Sequence, residues 1–191
     1  MRSTLTGIAL FVIAVGLASA SPTGATTMRH LDTRALTLGS SDIVVGQVEA
    51  VRPRWSADHR KLFTDVDVRV SQSLKGATAE RITLTQLGGE LDGVKVSIPG
   101  GPLFKPGNEA LLFVWRDAKG RPQVNGMAQG KFDIERDAAT GTLMVQRNTP
   151  GFAVKDVKSL VGTQSAAAAP RLPLDDLVRE IKSALSTEAG R

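Results

Sequence analysis

The chain has 191 residues, with 24 Lys and Arg against 19 Asp and Glu, two His and no Cys. That length suits one ordinary domain with tails. The absence of Cys excludes a disulfide framework, a thiolate metal or iron–sulfur site, a thiol nucleophile and a Cys-linked lipid anchor. Two His leave little for a multi-His metal centre, and a formal charge of +5, interspersed with acids, argues for solubility before nucleic acid.

Met1-Arg2 is a short positive start, Ile8 to Leu17 is an almost unbroken apolar run, and Ala18-Ser19-Ala20 has the small residues a signal peptidase reads. This pattern predicts a secretory signal peptide over 1–20 and a periplasmic or secreted protein. The apolar run is about half of the ~20 residues a spanning helix needs. A mature chain of roughly 170 residues is large enough for a hydrophobic core to hold it without disulfides. Residues 21–30 read as a flexible leader.

Leu31, Ala35, Leu36 and Leu38 follow helical spacing, with Asp32 placed to start a short helix and Gly39-Ser40-Ser41-Asp42 to stop it. From Ile43 through Val51 towards Trp55 the signals are those of a strand, in which Gly46 suggests a bulge or sharp bend. After a loop at Ser56-Ala57-Asp58 comes the clearest strand, Phe63 to Leu74. There Val66, Val68 and Val70 face one way and Asp65, Asp67, Arg69 and Ser71 the other. Ile82 to Thr85 and Val94 to Ile98 alternate in the same manner around a Gly88-Gly89 turn.

Pro99-Gly100-Gly101-Pro102 is the strongest breaker, and Lys105-Pro106-Gly107-Asn108 is a second tight turn. The apolar run Ala110 to Trp115 then reads as a central strand covered on both faces. Gln123 to Glu135 is expected to be extended, interrupted by Gly126 and Gly130 as bends, and a last hairpin turns at Ala138 to Gly141. Seven or so short strands without helical crossovers predict a mainly β chain: a small closed or partly open antiparallel barrel, OB-like, spanning 31–150. Residues 151–173 read as a linker containing four consecutive Ala. Leu174, Leu177, Val178, Ile181 and Leu185 mark one face of an amphipathic helix over 174–186 with acids in its first turn, followed by a tail at 187–191.

Several of these segments carry a resemblance. They are Ser41-Asp42-Ile43-Val44-Val45-Gly46, the Thr64 to Val70 strand with Leu74-Lys75-Gly76, the Phe104-x-Pro106-Gly107-x-Glu109 turn, and Gln129-Gly130-Lys131-Phe132. Together they cover about half the chain and resemble a group of uncharacterised secreted bacterial proteins. The strand pattern of that group is similar to OB-type barrels, including the netrin-like domains of metalloproteinase inhibitors, which is a likeness of fold alone. Those inhibitors grip zinc through an N-terminal Cys, and no residue here can take that role.

Catalytic constellations are sparse. There is no Gly-x-Ser-x-Gly elbow, and the sequence neighbours Asp58 and His59 do not have the spacing of an Asp that orients an imidazole. Glu90 and Asp92 lack the spacing of a calcium loop, and the Gly-Gly pairs lack the Lys-Ser/Thr and helix of a phosphate loop. The densest cluster is the first hairpin, where Arg52, Arg54, Trp55, His59, Arg60 and Lys61 fall within ten residues. Trp55 is suited to stack on a base or sugar while the cations hold phosphate or sulfate.

The expected function is therefore that of an exported, non-catalytic barrel module without a cofactor. It would bind an envelope or secreted protein, a protease among the candidates, with the Gly/Pro-rich loop Ser97 to Lys105 as a contact surface. The alternative is an anionic envelope polymer, polysaccharide or lipid phosphate, held by the first hairpin.

Overall fold

The computed structural model describes residues 28–76, 80–147, 154–155 and 170–190. The expected signal peptide, most of the leader and most of the 151–173 linker lie outside the described residues. The protein is mainly β, an antiparallel sheet curled into a partly open barrel with a helix near each end of the described chain.

A two-residue strand β1, Met28–Arg29, precedes helix α1, Thr33–Gly39. Asp32 caps that helix, its carboxylate accepting the Ala35 N–H at 2.7 Å. The ammonium of Lys75, at the far end of another element, donates to the Thr37 carbonyl at 2.8 Å and so satisfies the carbonyl end of the helix. The long strands β2, Asp42–Trp55, and β3, Leu62–Lys75, form the first hairpin, and β4, Arg81–Leu87, continues the meander. Register shifts at Val45/Gly46 and Val48/Ala50 bend β2. The expected bend at Gly46 is real: a Cβ there would lie 2.4 Å from the Arg69 carbonyl oxygen.

A small hairpin follows, β5, Gly89–Leu91, with β6, Val94–Val96. Strand β7, Glu109–Arg116, then runs antiparallel to β2. On its other edge it pairs first with β9, Lys131–Arg136, and further along with β8, Pro122–Val124. Strand β10, Leu143–Arg147, lies beside β9, and β12, Leu172–Pro173, beside β10. The two-residue β11, Val154–Lys155, pairs in parallel with β1.

The extended stretch over Gln123 to Glu135 is interrupted at Gly126 and Gly130 as expected, but by a turn between two strands and not by bends inside one. Strand β8 stops at Val124, Gly126 takes a left-handed conformation (φ 66°), and Met127–Gly130 form a 3-10 turn before β9 begins. Gly130 packs so close to Asn125 that a Cβ would lie 2.1 Å from its carbonyl oxygen. Both glycines thus serve the break between two strands and do not bend one.

Alternation along β7 divides the interior into two cores. Ala110, Leu112 and Val114 point into the barrel with Val44, Val48, Val66, Val68 and Leu84. Leu111 and Phe113 point to the opposite face, where Leu36 of α1 and Leu177 and Ile181 of the final helix α2, Leu174–Ala189, cover them. The amphipathic C-terminal helix therefore docks on the sheet. No helix among the described residues is long and apolar enough to cross a membrane.

Two substitutions test this packing by urea unfolding. Ile181→Ala, at a site with 0% exposure, should cost about 2–5 kcal/mol. Gly46→Ala should cost about 1–3 kcal/mol through overpacking against Arg69. A loss below 0.5 kcal/mol, roughly the level of a neutral surface change, would contradict the packing at either site.

Candidate functional site

The structure separates the six residues of the first-hairpin cluster into two groups. Arg52 and Arg54 stand on the outer face of β2 and are both committed to acids of β3. Arg52 forms an ion pair with Asp67, and Arg54 makes a two-pronged contact with Asp65, Nε to Oδ2 at 2.5 Å and Nη2 to Oδ1 at 3.2 Å. The ladder continues onto β4: Thr83 and Thr85 donate their hydroxyls to Asp67 and Asp65, each at 2.9 Å. Glu49 meets Arg69 and Arg81 at 2.9 and 2.8 Å. The face is a cross-strand lattice of alternating charge, in which Arg54 and Arg121 also flank the Phe63 ring at 5.5 and 5.2 Å.

The second group sits at the turn. Ser56 and Asp58 organise it: the Ser56 hydroxyl donates to Asp58 at 2.6 Å, and the His59 N–H donates to the Ser56 carbonyl at 2.8 Å. His59 adopts a left-handed backbone (φ 53°) and places its ring 6.4 Å from that of Trp55. The Trp55 indole N–H is engaged by Asp92 at 3.0 Å, so the tryptophan ties this turn to the β5–β6 hairpin. Arg60 and Lys61 form no ion pair among the described residues. Glu90 pairs with Lys95 at 3.5 Å, and no described group of three His, Asp or Glu could hold a metal ion.

A second locus lies where the barrel fails to close. Strands β2 and β4 both run antiparallel to β3, β7 runs antiparallel to β2, and β8 antiparallel to β7. Strands β4 and β8 therefore run parallel. They lie side by side, yet each pairs only with its other neighbour. At one end of this seam opens a cleft of about 520 Å³, lined among others by Gln86 and Leu87 of β4, Val96 of β6, Leu103, Phe104 and Val124. That volume is within the range of ordinary ligand sites.

The loop forming the outer wall is built by two similar turns. Pro99 and Gly100 (φ 71°) occupy the central positions of the first, closed by the Gly101 N–H to the Ile98 carbonyl at 2.9 Å. Pro106 and Gly107 (φ 87°) occupy those of the second, closed by the Asn108 N–H to the Lys105 carbonyl at 3.1 Å. Both follow the residue requirements of a type II turn. The first is tied to the 3-10 turn by the Ala128 N–H on the Gly100 carbonyl, and the second to β2 by the Gly107 N–H on the Val48 carbonyl. Between them Phe104 lies under the Lys131 ammonium at 5.3 Å, while Leu103 is 61% exposed.

Leu87 is exposed on the facing wall. The Gln86 Oε1 is buried with no hydrogen-bond partner among the described residues, a costly state for an amide oxygen. The cleft thus joins a fixed rim, an apolar lining and one unpartnered acceptor. The Ser97 to Lys105 loop is legible in the sequence as a contact surface, whereas the Gln86, Leu87 and Val124 side forms only where β4 and β8 meet. No family model and no curated protein matches the chain.

Between the two loci, at the β7–β8 turn, Asp117 is held at about 2, chiefly by the Arg121 guanidinium and then by the Arg121 and Lys119 backbone N–H groups. A carboxylate depressed in the folded state contributes stability that is present above its unfolded pKa and lost as pH falls through its folded one. This contribution should fade between pH 3.8 and about 2. In an NMR titration Asp117 should reach its midpoint near pH 2, and Arg121→Ala should move it up towards 3.8. An unchanged midpoint in the variant would remove Arg121 as the cause.

Proposed function

We propose that the protein is an exported, non-catalytic module that binds another protein through the cleft at the open seam of its barrel. One observation carries this reading. The apolar cleft of about 520 Å³ is walled by a loop pinned at both ends, with Leu87 and Leu103 exposed at its lining. Exposed apolar side chains gathered at a concave, preformed site are what a protein partner desolvates on binding. The export component rests on the sequence pattern of residues 1–20. A secreted or envelope protease is one partner that the OB-type resemblance suggests.

The alternative ligand, an anionic envelope polymer on the first hairpin, is left with fewer cations than the sequence offers. Arg52 and Arg54 are occupied by Asp67 and Asp65, which leaves Arg60 and Lys61 beside Trp55.

The test is parallel capture from the host's envelope and culture fluid, with elution on a salt gradient. The baits are the mature chain, a Leu103→Asp variant, and a paired Arg54→Ala, Trp55→Ala variant. A discrete protein should stay bound to the mature chain and the paired variant at high salt, and bind Leu103→Asp roughly tenfold more weakly. Polysaccharide or lipid released at modest salt, and lost with the paired variant, would transfer the function to the hairpin. Circular dichroism melts of the three baits establish that each is folded.

A further inference from the structure

The β4–β8 seam specifies how a partner would be held, given the reading that the cleft binds protein. The Val70 N–H bonds the Glu80 carbonyl and the Gly88 N–H the Leu62 carbonyl. With the register Thr64↔Gln86, Val66↔Leu84 and Val68↔Ile82, the even-numbered residues of β4 spend their backbone groups on β3. Those of Thr83, Thr85 and Leu87 point away from β3, into the seam. On β8 the Asn125 N–H bonds the Phe113 carbonyl and the Asp117 N–H bonds the Arg121 carbonyl. Gln123 is thus turned to β7, and Val124 and the Pro122 carbonyl face the seam.

A row of backbone donors and acceptors repeating every second residue is complementary to one kind of ligand, an extended polypeptide. The sense of the strands adds direction. Because β4 and β8 are parallel, one strand placed between them can be antiparallel to both, and a parallel seam becomes two antiparallel pairs. The two ends of the seam differ. The Leu87 end is the apolar cleft. The Arg81 end opens into a smaller cavity of about 250 Å³ lined by Arg81, Arg116 and Asp42; Arg116 is paired there with Asp42 at 3.3 Å, and Arg81 shares Glu49 with Arg69, which leaves an excess of one cation. The distance between the ends is that of β4 itself, roughly 20 Å at about 3.3 Å per residue.

We propose that the partner supplies an extended peptide segment that enters this seam as an added strand, antiparallel to β4. An apolar side chain fills the cleft at Leu87, and a carboxylate five to six residues later in the peptide sits between Arg81 and Arg116, in competition with Glu49 and Asp42. Strands β4 and β8 now lie too close for a third between them. Insertion moves β4 outward: its backbone edge is held by β3 alone, and the movement must also part Arg81 from Glu49 and shift Leu84 within the inner core. The Gln86 amide oxygen, buried without a partner among the described residues, gains a donor when β4 moves.

The experiment selects 12-residue peptides from a random displayed library on the immobilised mature chain, then measures amide hydrogen exchange with a selected synthetic peptide bound. Enriched peptides should carry a large apolar residue followed five to six positions later by Asp or Glu. Binding should slow exchange at Thr83, Thr85 and Val124 by roughly tenfold or more, and Arg116→Ala should weaken acidic peptides by about threefold. The exchange measurement uses the unaltered chain and is independent of any variant's folding. Peptides that bind with changes confined to Leu87, Leu103 and Phe104 would overturn strand addition while leaving the cleft as a binding site. Enrichment of the reverse order, acid before apolar, would overturn the antiparallel placement. A library that yields no binder would overturn the peptide ligand, and the capture experiment with Leu103→Asp would then decide separately whether the cleft binds folded protein.

Discussion

Everything in this molecule is arranged around a strand whose five central residues have no wet face. Ala110, Leu111, Leu112, Phe113 and Val114 are each fully removed from solvent, because β7 lies between the barrel interior and the pair of helices. A strand in that position cannot accept a polar residue on either side, and its two edges are equally committed. One edge pairs with β2, and the other is shared between β9 and β8. That sharing has a geometric result. The edge of β7 that would carry one long closing strand is divided where the 3-10 turn intervenes, so β8 is only three residues long. A strand that short does not reach β4 with a ladder, and the barrel stays open along their common side.

Much of this was legible from residue pattern. The unbroken apolar run at 110–115 implied a doubly covered strand, the alternation at 63–74 implied a barrel wall, and the spacing of Leu174 to Leu185 marked the face that α2 buries. These signals are local, since periodicity of two or of 3.6 is written directly into the chain. The interruption at Gly126 and Gly130 was legible but its form was not, because glycines in an extended stretch are equally consistent with a bent strand and with a strand that ends. Only the approach of Gly130 to Asn125 and the left-handed Gly126 separate the two.

The candidate sites divide for a related reason. Six basic and aromatic residues close together in the sequence draw attention, but the acids that occupy Arg52 and Arg54 are contributed by the next strand. Charge density along a chain says nothing about cross-strand neutralisation until the register is known. The cleft has the opposite property. Its Pro-Gly loop is visible in the sequence, whereas Gln86, Leu87 and Val124 become its walls only because two non-adjacent strands are brought together by β7.

The ladder between β2 and β7 joins residues such as Val44 and Leu112, nearly 70 positions apart. The β2–β3–β4 meander, by contrast, is assembled from neighbours in the chain. Closing so long a loop is entropically expensive, and both cores require it, since each contains residues of β2 and β7. The order of events on folding is then set by topology: the meander forms early, and neither core consolidates until β7 arrives. Chains dominated by such non-local pairing fold in milliseconds to seconds, so refolding of this protein should be limited by a single late docking of β7 that completes both halves of the interior together.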